Sequence, residues 1–345
     1  MAKVLLQRYE KNPILMPNEA NWWESKAVFN CAILHYENKF HMLYRAIGEY
    51  ERYISRIGYA SSTDGYSFTR SNNIALEPTQ DYEEYGIEDP RMVEIDNQVY
   101  ITYVILSSYV TDEAIVEAST ALATTTDFLK YTRLGVITTK GSDNKDVVLF
   151  PEKMSQQQPP PPPSSSSSSS VLSLSLPSNN IDTAGKYFFL HRPSGWIGSK
   201  YGVDKPSIWL GEGNALTNFE KHTLLLKPEE DWEELKVGAG PPPIKTRIGW
   251  LVIYHGVSRE KVYRAGAAIL DLHDPSKIIG RTKTPILEPK EPYEKFGDVN
   301  NVVFPTGACV VDNDKLFVYY GAADKVCCLA TADLNYLLDH ILKSK

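Results

Sequence analysis

One pattern recurs five times along the 345 residues and constrains the fold more than anything else in the chain. It is an alternating apolar run, a tight polar turn, and a second alternating run that closes on an aromatic residue or His. The copies are CAILHYENKFHMLY closing at Tyr44, RMVEIDNQVYITY at Tyr103, EKM with GKYFFLH at His191, IKTRIGWLVIY at Tyr254, and ACVVDNDKLFVYY at Tyr319. The closing residues lie 59, 88, 63 and 65 positions apart. Removing ~27 foreign residues from the third copy brings the odd spacing close to the others, the signature of a structural repeat. Alternation around Glu-Asn, Asp-Asn and Asn-Asp turns reads as β-hairpins.

A second strand pair follows each hairpin, as in RIGYASSTDGYSFTR and EASTALATTTDFLKYTRLG. Small residues (Ala60, Ala121, Ala123, Ala267) recur in its first strand. Connectors of shared character, such as IALEPTQDYEEYGIEDP and LLLKPEEDWEELKVGAGP, then lead to the next copy. Four strands and a connector, repeated five times, predict an all-β, five-bladed β-propeller. Two β-sandwiches would not produce equal spacing. The whole chain, 1–345, therefore reads as one catalytic domain, against the two domains that length alone suggests. Residues 155–184 interrupt it with five consecutive prolines and seven consecutive serines. That segment cannot build a core and is expected to be a disordered insertion in the third blade's hairpin turn.

Composition excludes several function classes. The net charge of −7 argues against a general nucleic-acid binder. No apolar run approaches the ~20 residues that span a bilayer. The opening MAKVLLQRYEKNP lacks the apolar stretch of a secretory signal. Cys31, Cys309, Cys327 and Cys328 fit neither a disulfide framework nor a zinc pattern. They read as reduced core thiols, so a cytoplasmic location is expected.

The repeat also locates a site. Fourteen positions before the closing residues lie Asn30, Asp89, Pro151 (with the insertion removed), Gly240 and Pro305; one position after them lie Arg45, Val104, Arg192, His255 and Tyr320. Both sets fall at the same end of their hairpins, so they are expected at one mouth of the central channel. Unlike polar residues at equivalent positions mark a site grafted on a symmetric scaffold. Asp89 is the sole carboxylate in the set. Lys145 and Lys236 from the connectors, with Arg192 and His255, add four groups able to carry positive charge. Such a cluster calls for an anion: Arg offers a planar fork to phosphate, Lys a point charge.

The chain resembles glycoside hydrolase family 130, the β-mannoside phosphorylases, through eleven motifs in order. They are NPIL (12–15), VFN (28–30), LYRA (43–46), GIEDPR (86–91), NKDVVLFPEK (144–153), LHRP (190–193), KVGAGPPPI (236–244), YHGV (254–257), YRAG (263–266), PTGA (305–308) and YYGAAD (319–324). The resemblance covers nearly everything except 155–184. It implies inverting phosphorolysis of β-mannosides with release of α-mannose 1-phosphate. Asp89 would be the catalytic acid, relaying its proton through the mannosyl 3-hydroxyl. Lys145, Arg192, Lys236 and His255 would grip phosphate, and Asp324, Asn30, Arg45 and Tyr263 would hold the mannosyl unit. Inorganic phosphate is then a co-substrate; no cofactor and no metal are expected. The partners are a β-mannoside oligosaccharide and phosphate, without nucleic acid or membrane. Oligomeric state, linkage and acceptor stay open, although KVGAGPPPI resembles the subgroup handling mannooligosaccharides rather than mannosylglucose.

Physical chemistry points the same way. An inverting hydrolase needs two carboxylates ~6.5–9.5 Å apart, whereas phosphate is already an anionic nucleophile. One carboxylate facing several cations is thus the expected phosphorolytic pattern. A β-mannoside hydrolase on this fold and a non-catalytic sugar-binding propeller are the alternatives.

Overall fold

The computed structural model describes residues 5–106, 117–139, 142–154 and 185–344. Strand β1 (Gln7–Arg8) stands apart at the start of the chain. Blade 1 follows with β2 (Ala27–Tyr36), β3 (Lys39–Ile47), β4 (Ser55–Ser62) and β5 (Thr69–Leu76). Blade 2 holds β6 (Ile87–Ile95), β7 (Gln98–Leu106), β8 (Ala118–Thr125) and β9 (Thr132–Val136). Blade 3 holds β10 (Asn144–Leu149), β11 (Tyr187–Pro193), β12 (Ile208–Gly213) and β13 (Lys221–Leu226). Blade 4 holds β14 (Lys236–Ala239), β15 (Ile244–Lys245), β16 (Trp250–Val257), β17 (Tyr263–Leu270) and β18 (Ile278–Arg281). Blade 5 holds β19 (Val303–Val311), β20 (Lys315–Ala322) and β21 (Val326–Asp333), and β1 completes it by pairing with β21. The ring is therefore closed by a strand from the other end of the chain. A short helix α1 (Pro292–Lys295) precedes β19, and α2 (Leu334–Lys343) ends the described chain.

Neighbouring strands in every sheet pair antiparallel, and β19, β2, β6, β10 and β14 contact one another in that order around the axis. The five-bladed propeller expected from the repeat is thus the observed fold. The core is not central but divided between adjacent blades. One cluster, for instance, joins Leu43 and Ile57 of blade 1 to Met92, Ile101 and Tyr103 of blade 2. Another joins Leu251 and Ile253 of blade 4 to Val303, Val318 and Tyr320 of blade 5.

The closing tyrosines have a structural reason. In four blades a fully buried connector Glu accepts the Tyr hydroxyl and also meets an Arg from the blade's outermost strand. Glu24 takes Tyr44 (2.7 Å) and Arg70 (3.0 Å), and Glu83 takes Tyr103 and Arg133 (both 2.8 Å). Glu233 takes Tyr254 (3.0 Å) and Arg281, and Glu294 takes Tyr320 (2.9 Å) and Arg8 (2.8 Å). Each staple ties connector, second strand and outer strand together. Small residues make room for the ring: Gly58, Ala121 and Gly266 are the cross-strand partners of Tyr44, Tyr103 and Tyr254, whereas the recurring Ala60, Ala123 and Ala267 face Met42, Ile101 and Ile253. A Cβ at Gly58 would lie 2.3 Å from the Tyr44 ring. Blade 3 departs from the pattern. His191 replaces the tyrosine and pairs with Asn144 (2.9 Å) and His222 (3.1 Å).

Two sequence alignments need correction. The blade 5 tyrosine is Tyr320, not Tyr319, because Asp312, Asn313 and Asp314 make that turn one residue longer than the Glu37-Asn38 turn. Tyr320 is consequently buried in its staple, and Gly321 takes the place at the mouth. In blade 3, the insertion expected to be disordered, residues 155–184, lies outside the described residues. The flanking Met154 and Lys186 pair with each other at the turn end of the hairpin. That register is longer than the ~27 removed residues assumed, and it shifts the mouth position from Pro151 to Asp146. Pro151 instead lines a cavity of about 640 Å³ at the turn end, with His35, Lys245 and Asp312.

Candidate active site

The opposite end of the hairpins forms a polar cavity of about 180 Å³. Its lining includes Asn30, Arg45, Asp89, Lys145, Arg192, Lys236, His255, Tyr263 and Asp324. All nine residues singled out in the sequence are thus brought together, from all five blades. Glu88, Asp146, Val299, Val302 and Phe304 complete the wall.

One backbone device builds much of this site. The first strands of blades 1, 2 and 3 each carry a β-bulge at the mouth, between Phe29 and Ala32, Glu88 and Arg91, and Lys145 and Val148. The bulged residues Asn30, Asp89 and Asp146 have φ of 49°, 46° and 58°. A bulge re-aims the side chain, and Asn and Asp are the non-glycine residues that best tolerate this left-handed region. Asp324 reaches the cavity with φ of 49° from the turn after β20. Close approach fixes two glycines: a Cβ at Gly321 would lie 2.0 Å from Asn30 Oδ1, and one at Gly238 would lie 2.3 Å from Asp146 Oδ2.

Charge is segregated around the cavity. On the side of blades 5, 1 and 2, Asn30 Nδ2 donates to Asp89 Oδ1 at 2.8 Å. Arg45 pairs with Glu88 at 2.5 Å and stands 3.5 Å from Asp89. Burial pushes the Asp324 carboxyl up to about 7, with Arg45 opposing and Asp89 adding to the rise. On the side of blades 3 and 4 lie Lys145, Arg192, Lys236 and His255. Lys145 stands 3.8 Å from Glu88, and Arg192 Nε donates to Asp146 Oδ2 at 2.7 Å. Burial favours a neutral Asp146, yet Arg192 and its neighbours hold the carboxyl well below the usual range.

Two expectations change. First, the cavity has four carboxylates: Glu88 and Asp146 join the expected Asp89 and Asp324. Glu88 and Asp146 were hidden in plain view inside GIEDPR and NKDVVLFP, and aligning FNCAIL, EDPRMV and KDVVLF strand against strand would have exposed both. Each is spent on ion pairs, Glu88 with Arg45 and Asp146 with Arg192. Second, His255 is not a fourth cation. Burial lowers it to about 3, Asp146 opposing and Arg192 assisting. It is a neutral ring with its Nδ1 buried and, among the described residues, without a hydrogen-bond partner, packed 4.5 Å from Phe304. Among the described residues no group of His, Cys, Asp and Glu could hold a metal ion.

An acid on a bulge facing Lys and Arg across one small cavity, on a closed propeller, is the layout of an enzyme that works on a polar substrate with an anion. The chain belongs to glycoside hydrolase family 130: the family model described as beta-1,4-mannooligosaccharide phosphorylase matches residues 6–343. A 1,2-beta-oligomannan phosphorylase of Thermoanaerobacter sp. (strain X514) is 39% identical over 96% of this chain and 98% of its own. A beta-1,2-mannobiose phosphorylase of the same organism is 35% identical over 92% of this chain and 94% of its own. The solved beta-1,2-mannobiose phosphorylase from Listeria innocua, in complex with beta-1,2-mannobiose, superposes with a TM-score of 0.77 at 29% identity. That match covers 97% of this chain and 99% of the other. No helix among the described residues is long and apolar enough to cross a membrane.

Proposed function

We propose that the chain is an inverting β-mannoside phosphorylase acting on β-1,2-linked mannooligosaccharides. One observation carries this reading: Asp89 of blade 2 and the Lys145–Arg192–Lys236–His255 group of blades 3 and 4 line one cavity of about 180 Å³. Asp324, Asn30, Arg45 and Tyr263 hold the terminal mannosyl unit, and Asp89 protonates the glycosidic oxygen, by relay through the sugar's 3-hydroxyl. Phosphate, neutralised by Lys145, Arg192 and Lys236 and hydrogen-bonded by His255, attacks the anomeric carbon from the other face. Lys and Arg clamps at a transferring phosphate lower the barrier electrostatically. The product is α-mannose 1-phosphate. A hydrolase would need a carboxylate free to deprotonate water. Glu88 and Asp146 are committed to Arg45 and Arg192, and Asp324 is assigned to the mannosyl unit on the sugar side, away from the face that phosphate attacks. The β-1,2 linkage rests on relatives at 39%, 35% and 36% identity that are named for it, against 26% for a relative named for the β-1,4 linkage. We place the enzyme in the cytoplasm, a reading supported by four free thiols, and take 1–345 as one catalytic domain.

The test is an assay of β-1,2- and β-1,4-mannobiose, each with and without phosphate. Sugar phosphate formed from the β-1,2 substrate only when phosphate is present supports the reading. Phosphate-independent mannose overturns it in favour of hydrolysis, and no turnover favours a binding protein.

A pH dependence follows. Burial lowers Lys236 to about 8, with Arg192 adding to the fall. The ammonium is lost as pH rises through that value, so KM for phosphate should increase above about pH 8. Lys236→Arg should move that rise to higher pH, and an unchanged profile would remove Lys236 from the grip.

A further inference from the structure

The bulge repeated in blades 1 to 3 puts its third residue, Asp146, to a different use from the first two. Asn30 and Asp89 face each other on the sugar side. Asp146 is 4% exposed and sits in the cavity wall against the cation group. Three side chains from three strands converge on its carboxylate. Arg192 Nε of β11 donates to Oδ2 at 2.7 Å. His255 Nε2 of β16 stands 3.9 Å from the same oxygen, and Arg91 Nη2 of β6 stands 4.0 Å from Oδ1. Gly238 supplies the space, since any Cβ there would collide with Asp146 and the His255 ring.

The Arg192 fork is thereby oriented. Nε is committed to Asp146 and Nη1 to Ser194 Oγ at 2.9 Å, which leaves Nη2 for an incoming anion. Arg91 carries the constraint onward: its Nη1 donates to the carbonyls of Asp89 (3.0 Å) and Pro90 (3.1 Å), and its Nε to that of Gly240 (2.7 Å). The bulge bearing the acid and the strands bearing the anion group are thus tied to one buried carboxylate.

We propose that Asp146 is the positioning residue of the phosphate site, fixing the Arg192 fork in the arrangement that receives phosphate. The inference rests on the functional reading above. It opposes a simpler role in which Asp146 merely offsets positive charge. The two differ in sign. Removing a mere counter-charge raises the local positive potential and tightens anion binding, whereas removing a positioning group weakens it.

Asp146→Asn is the informative variant, because Asn tolerates φ of 58° and keeps the shape. Phosphate binding should be measured by calorimetry without sugar, and KM for phosphate and for the mannoside should be measured separately. The expected result is phosphate binding weaker by about tenfold, because the Asn oxygen still accepts from Arg192 but without the carboxylate's charge, which makes a bond roughly half as strong, with KM for phosphate rising in parallel and KM for the mannoside within about twofold. Arg192→Lys, which removes the Nε donor, should weaken phosphate binding as well, and adding Asp146→Asn to it should cost little more. Phosphate bound as tightly or more tightly by Asp146→Asn would overturn the proposal. So would additive losses in the double variant. Wild-type protein that neither binds nor uses phosphate would overturn the functional reading along with it; normal wild-type turnover with an unaffected Asp146→Asn would sink this inference alone.

Discussion

Asp89→Asn is expected to lower kcat on an unactivated β-mannoside by about 10²- to 10⁴-fold, the usual contribution of a general acid, while leaving the protein folded. Asn cannot deliver a proton to the glycosidic oxygen. Its amide oxygen can still accept from Asn30 Nδ2, which now stands 2.8 Å from Asp89 Oδ1. The backbone there has φ of 46°, a conformation that Asn adopts as readily as Asp. The melting temperature should therefore hardly move. A mannoside with a good leaving group, such as p-nitrophenol, needs less protonation and should recover a large part of the lost rate. Full activity on mannobiose would remove Asp89 as the acid. Equal loss on both substrates would indicate a binding role instead.

Glu83→Ala should be the most destabilising single change outside the site, by about 3–5 kcal/mol, the cost of breaking a buried ion pair by removing one partner. Glu83 is fully buried and accepts from Tyr103, Arg133 and the backbone N–H groups of Thr79 and Gln80. Alanine removes the acceptor that all four donors share, and with it the only carboxylate among the described residues that answers the Arg133 Nε and Tyr103 hydroxyl. Glu24, Glu233 and Glu294 occupy the corresponding places, and their alanine variants should behave alike. Denaturant titration gives the value directly. A loss under about 1 kcal/mol would reduce the staples to ordinary surface pairs.

The staples also mark where sequence reasoning stopped. The five hairpins were legible because alternation, polar turns and closing aromatics are local signals. The carboxylates of WWE, DYE, DWE and PYE stood in the same connectors, yet their role was not legible. Their Arg partners come from outer strands, and for Glu294 the partner is Arg8, 286 positions away. Site membership was legible for the same reason as the fold: equivalent ends of equivalent hairpins must meet. Asp146 escaped because the insertion displaced the count along β10. The charge state of His255 escaped for a different reason, since burial and three-dimensional neighbours, not residue type, decide it.

The account stands or falls on what attacks the anomeric carbon, and from which face. Proton and phosphorus NMR of the wild-type enzyme with β-1,2-mannobiose and phosphate reads both at once. The prediction is α-mannose 1-phosphate as the first product, formed in step with phosphate consumed and mannose released from the acceptor side. β-Mannose 1-phosphate, or two free mannoses for each bond cleaved with phosphate untouched, would contradict it.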